Sequence, residues 1–332
     1  MRSMILAAGY GTRLWPLTVD RTKPAIPVLN RPLVGYVAEY LSGYGCTDVV
    51  VNLHHQPESV RRALGDGSRF GVRLHYVFEP EILGTSGALD NARELLGDST
   101  FVVVNGKIVT DINLTEAFET HRRTGALATL VLQRNKARER FSIVETRDGL
   151  VTGFGGMPAP PSNNDGDNQA DTEAPLMFTG IQILEPRIFD YIPRNVFSHT
   201  TTDVYPQAIA QGEPVAAHIA DGHWYELSTI PRYLEINLAL LASQNRDVLS
   251  GENCRISAGA DVRQSILWDD VTIEEGAHVS RSILADGVRI LAGEQIENAA
   301  VVRASLVRGE EPPPKALHGD FRGDNFVVPL PQ

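Results

Sequence analysis

From the amino terminus, short apolar runs alternate with helical patterns. Val49-Val50-Val51-Asn52-Leu53, Val72-Arg73-Leu74-His75-Tyr76-Val77 and Phe101-Val102-Val103-Val104 read as strands bounded by Gly, Asp or Pro. Between them, Leu33, Tyr36, Val37, Tyr40 and Leu41 recur at helical spacing, and so do Leu89, Ala92, Leu95 and Leu96. This alternation predicts an α/β fold whose mainly parallel sheet is covered on both faces and holds ligands beyond the carboxyl ends of its strands. A further strand is expected over Met177 to Leu184 and a helix over Pro231 to Ser243. The stretch from Pro158 to Pro175 reads PAPPSNNDGDNQADTEAP, with no aliphatic residue larger than alanine, and is expected to be a mobile surface insertion.

After about residue 250 the period changes. Ile256, Ile273 and Ile290 stand 17 residues apart, as do Gly259, Gly276 and Gly293, and Val262, Val279 and Ile296. Ser265-Ile266-Leu267 recurs as Ser282-Ile283-Leu284. A spacing close to three hexapeptides predicts one triangular coil of a parallel β-helix per repeat. Three segments are therefore expected: a domain over 1–245, the coils over 250–307, and an irregular tail over 308–332 that carries Glu310-Glu311-Pro312-Pro313-Pro314-Lys315. A stack of coils has open ends that call for a cap or a partner, so a homo-oligomer is expected.

Composition narrows the chemistry. Among 332 residues, 41 Asp and Glu against 30 Lys and Arg give a net charge of -11, which removes nucleic acid as the expected partner. Cys46 and Cys254 have neither disulfide-framework nor zinc-site spacing, which fits a reducing compartment. The opening residues reach glycine too soon for a signal-peptide core, and no apolar run approaches a membrane span. The expected setting is soluble and cytoplasmic, with no membrane partner.

The stretch with most chemical content is Leu6-Ala7-Ala8-Gly9-Tyr10-Gly11-Thr12-Arg13-Leu14-Trp15-Pro16-Leu17-Thr18, followed by Lys23-Pro24. Two glycines after a short strand let backbone N–H groups turn toward phosphate oxygens, and Thr12 adds a hydroxyl. Arg13 can fork onto a pyrophosphate, while Lys23 is a movable point charge. A plain strand-to-helix turn with solvated cations is the competing reading. Neither the GxxxxGK[ST] loop nor the GxGxxG turn fits, so another class of phosphate site is required.

This stretch resembles the sugar-phosphate nucleotidyltransferases, the NDP-sugar pyrophosphorylases, whose signature LAAGxGTRLxPLTxxxxKPxxPV is matched from Leu6 to Val28. Further similar segments are Glu79 to Leu89, Asn105 to Leu114, Thr179-Gly180-Ile181 and His223 to Thr229, and the 17-residue repeats are similar to the C-terminal left-handed β-helix of many members. The resemblance implies a Rossmann-like domain in which a sugar 1-phosphate oxygen attacks the α-phosphate of a nucleoside triphosphate and pyrophosphate leaves. It implies that Leu6, Ala7 and Ala8 bind the nucleotide, that Gly9, Gly11 and Thr12 cradle its triphosphate, and that Arg13 and Lys23 act in catalysis, Arg13 facing the departing pyrophosphate and Lys23 bridging toward the reacting phosphates. It implies too that Glu79, Gly84 and Thr85 lie at the base, with Gly84 letting the backbone come close.

An ionised Glu79 only accepts hydrogen bonds, which suits the adjacent N1–H and N2–H donors of guanine. The wording of Glu79 to Gly87 also looks most like mannose-1-phosphate guanylyltransferases. GTP with mannose 1-phosphate is therefore favoured, ahead of thymidylyl or uridylyl transfer. By the same resemblance Asn105, Ser142, Phe178, Thr179 and Gly180 lie where relatives hold the hexose.

Three departures stand out. Lys107 occupies the position of a magnesium-binding aspartate, and a protonated lysine cannot ligate the metal. Glu226 stands where a second metal-binding aspartate is usual, and Gly156-Met157 replaces a Glu-Lys pair, removing the lysine that meets the sugar phosphate. In one reading Lys107 restores the lost charge as a catalytic residue, while Glu226 with Asp111 holds a single Mg2+. In the other, the chain binds nucleotide sugar without efficient turnover and acts as a regulatory subunit. Two motifs are set aside as chance matches: the kinase-like His318-Gly319-Asp320 to Asn325, and the pair His54-His55.

Overall fold

The computed structural model describes residues 1–157 and 174–331, so the expectation for the insertion from Pro158 lies almost wholly outside the described residues. The chain forms two compact units. The first is Met1–Ala8, Val37–His54 and Leu64–Trp224; the second is Gly9–Tyr36, His55–Ala63 and Tyr225–Gln332.

The first unit is built on nine strands: β1 (Arg2–Leu6), β2 (Asp48–Leu53), β3 (Arg73–Phe78), β4 (Phe101–Asn105), β5 (Ala128–Arg134), β6 (Val144–Arg147), β7 (Leu150–Phe154), β8 (Leu176–Leu184) and β9 (Val215–Ile219). Their order across the sheet is β3-β2-β1-β4-β8-β5-β9-β7-β6. Pairings β3-β2, β2-β1, β1-β4 and β5-β9 are parallel, and those made by β8 and β7 with β4, β5, β9 and β6 are antiparallel, so seven of the nine strands point one way. The central strands are mainly apolar because both faces are covered, the usual state of parallel strands. Met4, Val50, Phe101, Val103, Leu130, Leu132, Leu184 and Tyr205 form one continuous core. The helical spacing around Leu89 to Leu96 is realised as two pieces, Gly84–Asn91 and Arg93–Leu96.

In the second unit the 17-residue register is realised strand by strand. Ile256 pairs with Ile273 and Ile273 with Ile290; Val262 pairs with Val279 and Val279 with Ile296, all in parallel. Each coil stacks identical apolar positions, and Ile273, Ile290, Val279 and Ile296 are buried. The recurrent serines are buried and fully used: Ser265 Oγ donates to Arg263 O (2.7 Å) and accepts from Ser282 N (3.2 Å), and Ser282 Oγ repeats this with Ser280 O (2.7 Å) and Ala299 N (3.2 Å). These are the coils of a left-handed parallel β-helix.

The tail is irregular, as expected, over Glu310 to Lys315 and on to residue 319, but not beyond. Asn325–Pro329 runs antiparallel to Ala299–Arg303, and Asp320–Arg322 pairs with it in turn, so the tail folds back as a hairpin along the last coil. The kinase-like motif therefore supplies strand residues, and Asn325 Nδ2 donates to Arg289 O at 2.8 Å. Among the described residues no helix is long and apolar enough to cross a membrane.

Candidate functional site

The glycine turn opens the second unit. Gly11 has φ 69° and ψ 23° and starts a short 3-10 turn, Thr12–Leu14. Its carbonyl accepts from Leu14 N (2.9 Å) and Thr18 Oγ1 (3.3 Å). A Cβ at Gly11 would lie 2.9 Å from the Lys23 Cβ, so the left-handed backbone and close packing both demand glycine. Lys23 begins a second 3-10 turn, Lys23–Ala25, and is buried with its stem against Gly11. Gly9 differs: a Cβ there would meet nothing within 4 Å. Packing within the protein leaves that side of Gly9 open, while Thr12 and Arg13 stand exposed beside the turn. The Tyr10 ring is exposed and tilts against His55 at 5.5 Å.

The first unit ends its central strands in a chain of hydrogen bonds. Ala7 N donates to Asn52 Oδ1 (2.7 Å), Asn52 Nδ2 donates to Glu79 Oε1 (2.6 Å), and Leu83 N donates to Glu79 Oε2 (3.1 Å). His54 Nδ1 lies 2.8 Å from Glu79 O, which gives the His54-His55 pair a structural role. Glu79 is completely buried, and burial pushes its carboxyl above the ordinary glutamate range against the hydrogen bonds from Asn52 and Leu83. Each Glu79 carboxylate oxygen thus accepts one hydrogen bond from within the unit. The Ala7 N–H is used inside the unit in the same way. Leu6 is held in the sheet and its carbonyl accepts from Gly106 N (2.9 Å), while Ala8 is buried at the strand end.

Gly84 and Thr85 also turn inward. Gly84 has φ 75°, and a Cβ would lie 2.4 Å from the Ser198 carbonyl; at Gly87 it would lie 2.6 Å from the Val196 carbonyl. The protein's own backbone therefore makes a close approach at both glycines. Ser86 N donates to Ser198 O (3.1 Å), Ser198 N to Leu83 O (3.0 Å), and Thr200 N to Thr85 Oγ1 (2.9 Å), so the Thr85 hydroxyl clamps this segment.

At the end of β4, Asn105 meets the β8 bulge. The register of β8 shifts between Phe178 and Ile181, and Gly180 (φ 82°) packs so closely on Asn105 that a Cβ would lie 2.2 Å from its amide nitrogen. Thr179 Oγ1 donates to Val131 O (2.7 Å), so this hydroxyl faces the sheet. The Thr179 carbonyl accepts from Trp224 Nε1 (2.8 Å), and the Trp224 ring packs edge-on against Phe141 at 5.3 Å, next to exposed Ser142. Asn105, Gly180, Phe141 and Trp224 thus come together, with Phe178 half-buried against the core. Asn52 and Ser198 were not singled out from sequence. A lone polar residue in the apolar run Val49 to Leu53 is a signal for Asn52, whereas Ser198 has none.

The acidic candidates divide between the units. Asp111 Oδ1 accepts from His223 N at 2.6 Å, and a Cβ on Gly222 would lie 2.7 Å from that oxygen, so Asp111 pins the turn before Trp224. Glu226, in the second unit, ends the strand Trp224–Glu226 and is buried. Lys107 is half-buried and follows Gly106, whose Cα packs on the end of β1. Among the described residues no three His, Cys, Asp or Glu are grouped to hold a metal ion. The donor set suits magnesium only in its weakest protein mode, one carboxylate with the remaining positions taken by waters and substrate phosphates.

The family described as nucleotidyl transferase matches residues 2–243, and that described as GlmU-like C-terminal hexapeptide matches 241–310. The chain is 32% identical to a UTP–glucose-1-phosphate uridylyltransferase of Synechocystis sp., over 82% of this chain and 72% of that one. It is 28% identical to a mannose-1-phosphate guanyltransferase of Yarrowia lipolytica, over 75% and 67%. Its fold is shared with the crystal structure of HddC from Yersinia pseudotuberculosis complexed with GMP-PN, at a TM-score of 0.61 and 19% identity, over 72% of this chain and 99% of that one. With a glycine turn that demands Gly11 and leaves Gly9 open, and a family match over most of its length, the chain belongs to the nucleotidyl transferase family, with a GlmU-like hexapeptide region following.

Proposed function

We propose that this chain joins a nucleoside triphosphate to a hexose 1-phosphate, giving an NDP-sugar and pyrophosphate. The observation that carries this reading is the open space at Gly9 beside the turn held by Gly11, with Thr12, Arg13 and Lys23 on the same segment. Backbone N–H groups of that turn receive the triphosphate, and Arg13 and Lys23 offset charge on the departing pyrophosphate. Such transfer needs no covalent nucleophile. Positioning in line and stabilising charge supply the acceleration.

Magnesium, when bound with the nucleotide, would offset phosphate charge, with Glu226 as its protein carboxylate. Lys107 replaces charge lost at the departed lysine position, so Lys107→Ala is expected to lower turnover by roughly tenfold or more. Unchanged turnover and metal dependence in that variant remove Lys107 from the mechanism.

GTP with mannose 1-phosphate remains the first pair to assay, on the wording of the Glu79 to Gly87 segment alone. UTP with glucose 1-phosphate is the competing pair, supported by the similarity to a UTP–glucose-1-phosphate uridylyltransferase. The division into a transferase domain over 1–245, coils over 250–307 and a tail, a homo-oligomer, and a cytoplasmic setting belong to the same proposal. The test is pyrophosphate release with magnesium across four triphosphates and several hexose 1-phosphates. Release with one pair well above the rest supports the reading. No release with any pair, alongside measurable nucleotide-sugar binding, replaces it with the regulatory one.

A further inference from the structure

The segment that carries Lys23 is not held by its own neighbours alone. Within the second unit it is fastened to the coils and to the helix Ile230–Ala242 that precedes them. The Arg21 guanidinium binds Asp20 (2.9 Å) and Asp286, and its Cζ sits 4.8 Å from the centre of the Trp268 ring. Trp268 Nε1 donates to Tyr233 Oη (2.9 Å), and Tyr233 Oη donates to Pro27 O (2.5 Å). Leu29 N donates to Asn237 Oδ1 (3.0 Å), and Asn30 Nδ2 donates to Ser250 O (2.7 Å). Residues 21 to 30 are thus tied at four places, on both sides of Lys23.

Asp286 is built for two tasks. Its Oδ1 accepts from Asp269 N in the preceding coil (3.1 Å), and its Oδ2 takes Arg21. Asp269, one coil earlier, repeats only the first task, accepting from Glu252 N at 2.7 Å. The coil ladder therefore needs an acceptor at this position but not a second charged oxygen. That second oxygen serves Arg21. Burial of Arg21 opposes its charge, yet the hydrogen bonds and charges of Asp20 and Asp286 outweigh this and keep it firmly protonated. A guanidinium forked between two carboxylates and stacked on an indole has little rotational freedom, so the backbone on either side of it is fixed.

We propose that Arg21, held by Asp286 and Trp268 of the β-helix, is a positioning residue for the phosphate-binding loop. It fixes the backbone from which Lys23 reaches the triphosphate, so the coils set the geometry of the loop as well as forming a stack. The catalytic part of this inference rests on the proposed nucleotidyl transfer; the structural part does not.

The experiment uses the full chain with three variants: Asp286→Asn, Arg21→Gln and the double variant. Asparagine keeps an acceptor for Asp269 N and removes the charge that the β-helix offers Arg21, leaving Asp20 as its one carboxylate partner. Hydrogen exchange is read at Ala25 N and Ile26 N, which donate to Thr22 O and Lys23 O, and at Thr272 N and His278 N in the coils. The expected result is exchange faster by about tenfold at residues 25 and 26 in every variant, coil amides unchanged, and the double variant no worse than either single one. Affinity for a nucleoside triphosphate should fall by roughly tenfold with the KM for sugar 1-phosphate unmoved. Unchanged exchange at residues 25 and 26, or equal acceleration in the coils, overturns the positioning role. So does unaltered triphosphate affinity in variants whose loop has loosened. If the unaltered protein binds no triphosphate, the proposed function fails, and the exchange result still decides whether Asp286 orders the loop.

Discussion

Gly9 and Gly11 share a motif and obey different physics. Gly11 is required by its own fold, since alanine would take a left-handed backbone and press on the Lys23 Cβ at 2.9 Å. Gly11→Ala should cost about 1–2 kcal/mol from the backbone alone. Gly9→Ala should leave thermal stability unchanged and weaken triphosphate binding, because only a ligand competes for that space. Paired melting and nucleotide titration check both, and a large fall in melting temperature for Gly9→Ala would contradict the assignment. At Glu79 the prediction concerns stability rather than base choice. Glutamine cannot accept from both Asn52 Nδ2 and Leu83 N, so Glu79→Gln should cost about 1–3 kcal/mol with the ranking of bases unaltered. Because burial raises the folded-state pKa of Glu79, the folded protein binds this proton more readily than the unfolded chain. The stability tied to that proton is complete below the ordinary glutamate value and is lost as pH rises through the raised one. Urea denaturation across this window should show the advantage of the native protein over Glu79→Gln shrinking as pH increases.

Elements in the first unit meet through glycines that sequence reading gave to ligands. The helix Gly84–Asn91 lies against the backbone of 196–200, and Gly84 is the point of closest approach. Gly84→Ala should separate the two, costing roughly 2 kcal/mol or more because a carbonyl rather than a flexible side chain stands 2.4 Å away. Limited proteolysis should then cut near residues 196–200, and resistance equal to that of the unaltered protein would argue against the contact. Strand and helix positions were legible in the sequence because their apolar periods are local: β2, β4 and the helix Ile230–Ala242 fall within a residue or two of expectation. The β8 bulge was not legible, since a register shift depends on the partner strand. Nor were the left-handed turns at Gln264, Arg281 and Asn298, which recur at the coil period without glycine.

At the level of the whole molecule, the hairpin over 320–329 is the largest departure from the expected irregular tail. Its apolar residues Phe326, Val327 and Val328 are buried, with the Phe326 ring 5.6 Å from Trp15 of the signature segment. Phe326→Ala should cost roughly 3 kcal/mol, a truncation of a buried aromatic, read as a lower urea midpoint. A loss below about 1 kcal/mol would show that the hairpin is not part of this core.

The glycine turn, the cations beside it and the 17-residue register were fixed by the sequence itself. Each depends on backbone conformation or on a period within a few residues, so composition and spacing suffice. The tertiary structure alone decided what the polar atoms do. Glu79 finds Asn52 from 27 positions away, Asp111 finds His223 from 112, and Arg21 finds Asp286 from 265. A hydrogen bond satisfies whichever partner folding brings within reach, and no local pattern states which partner that is.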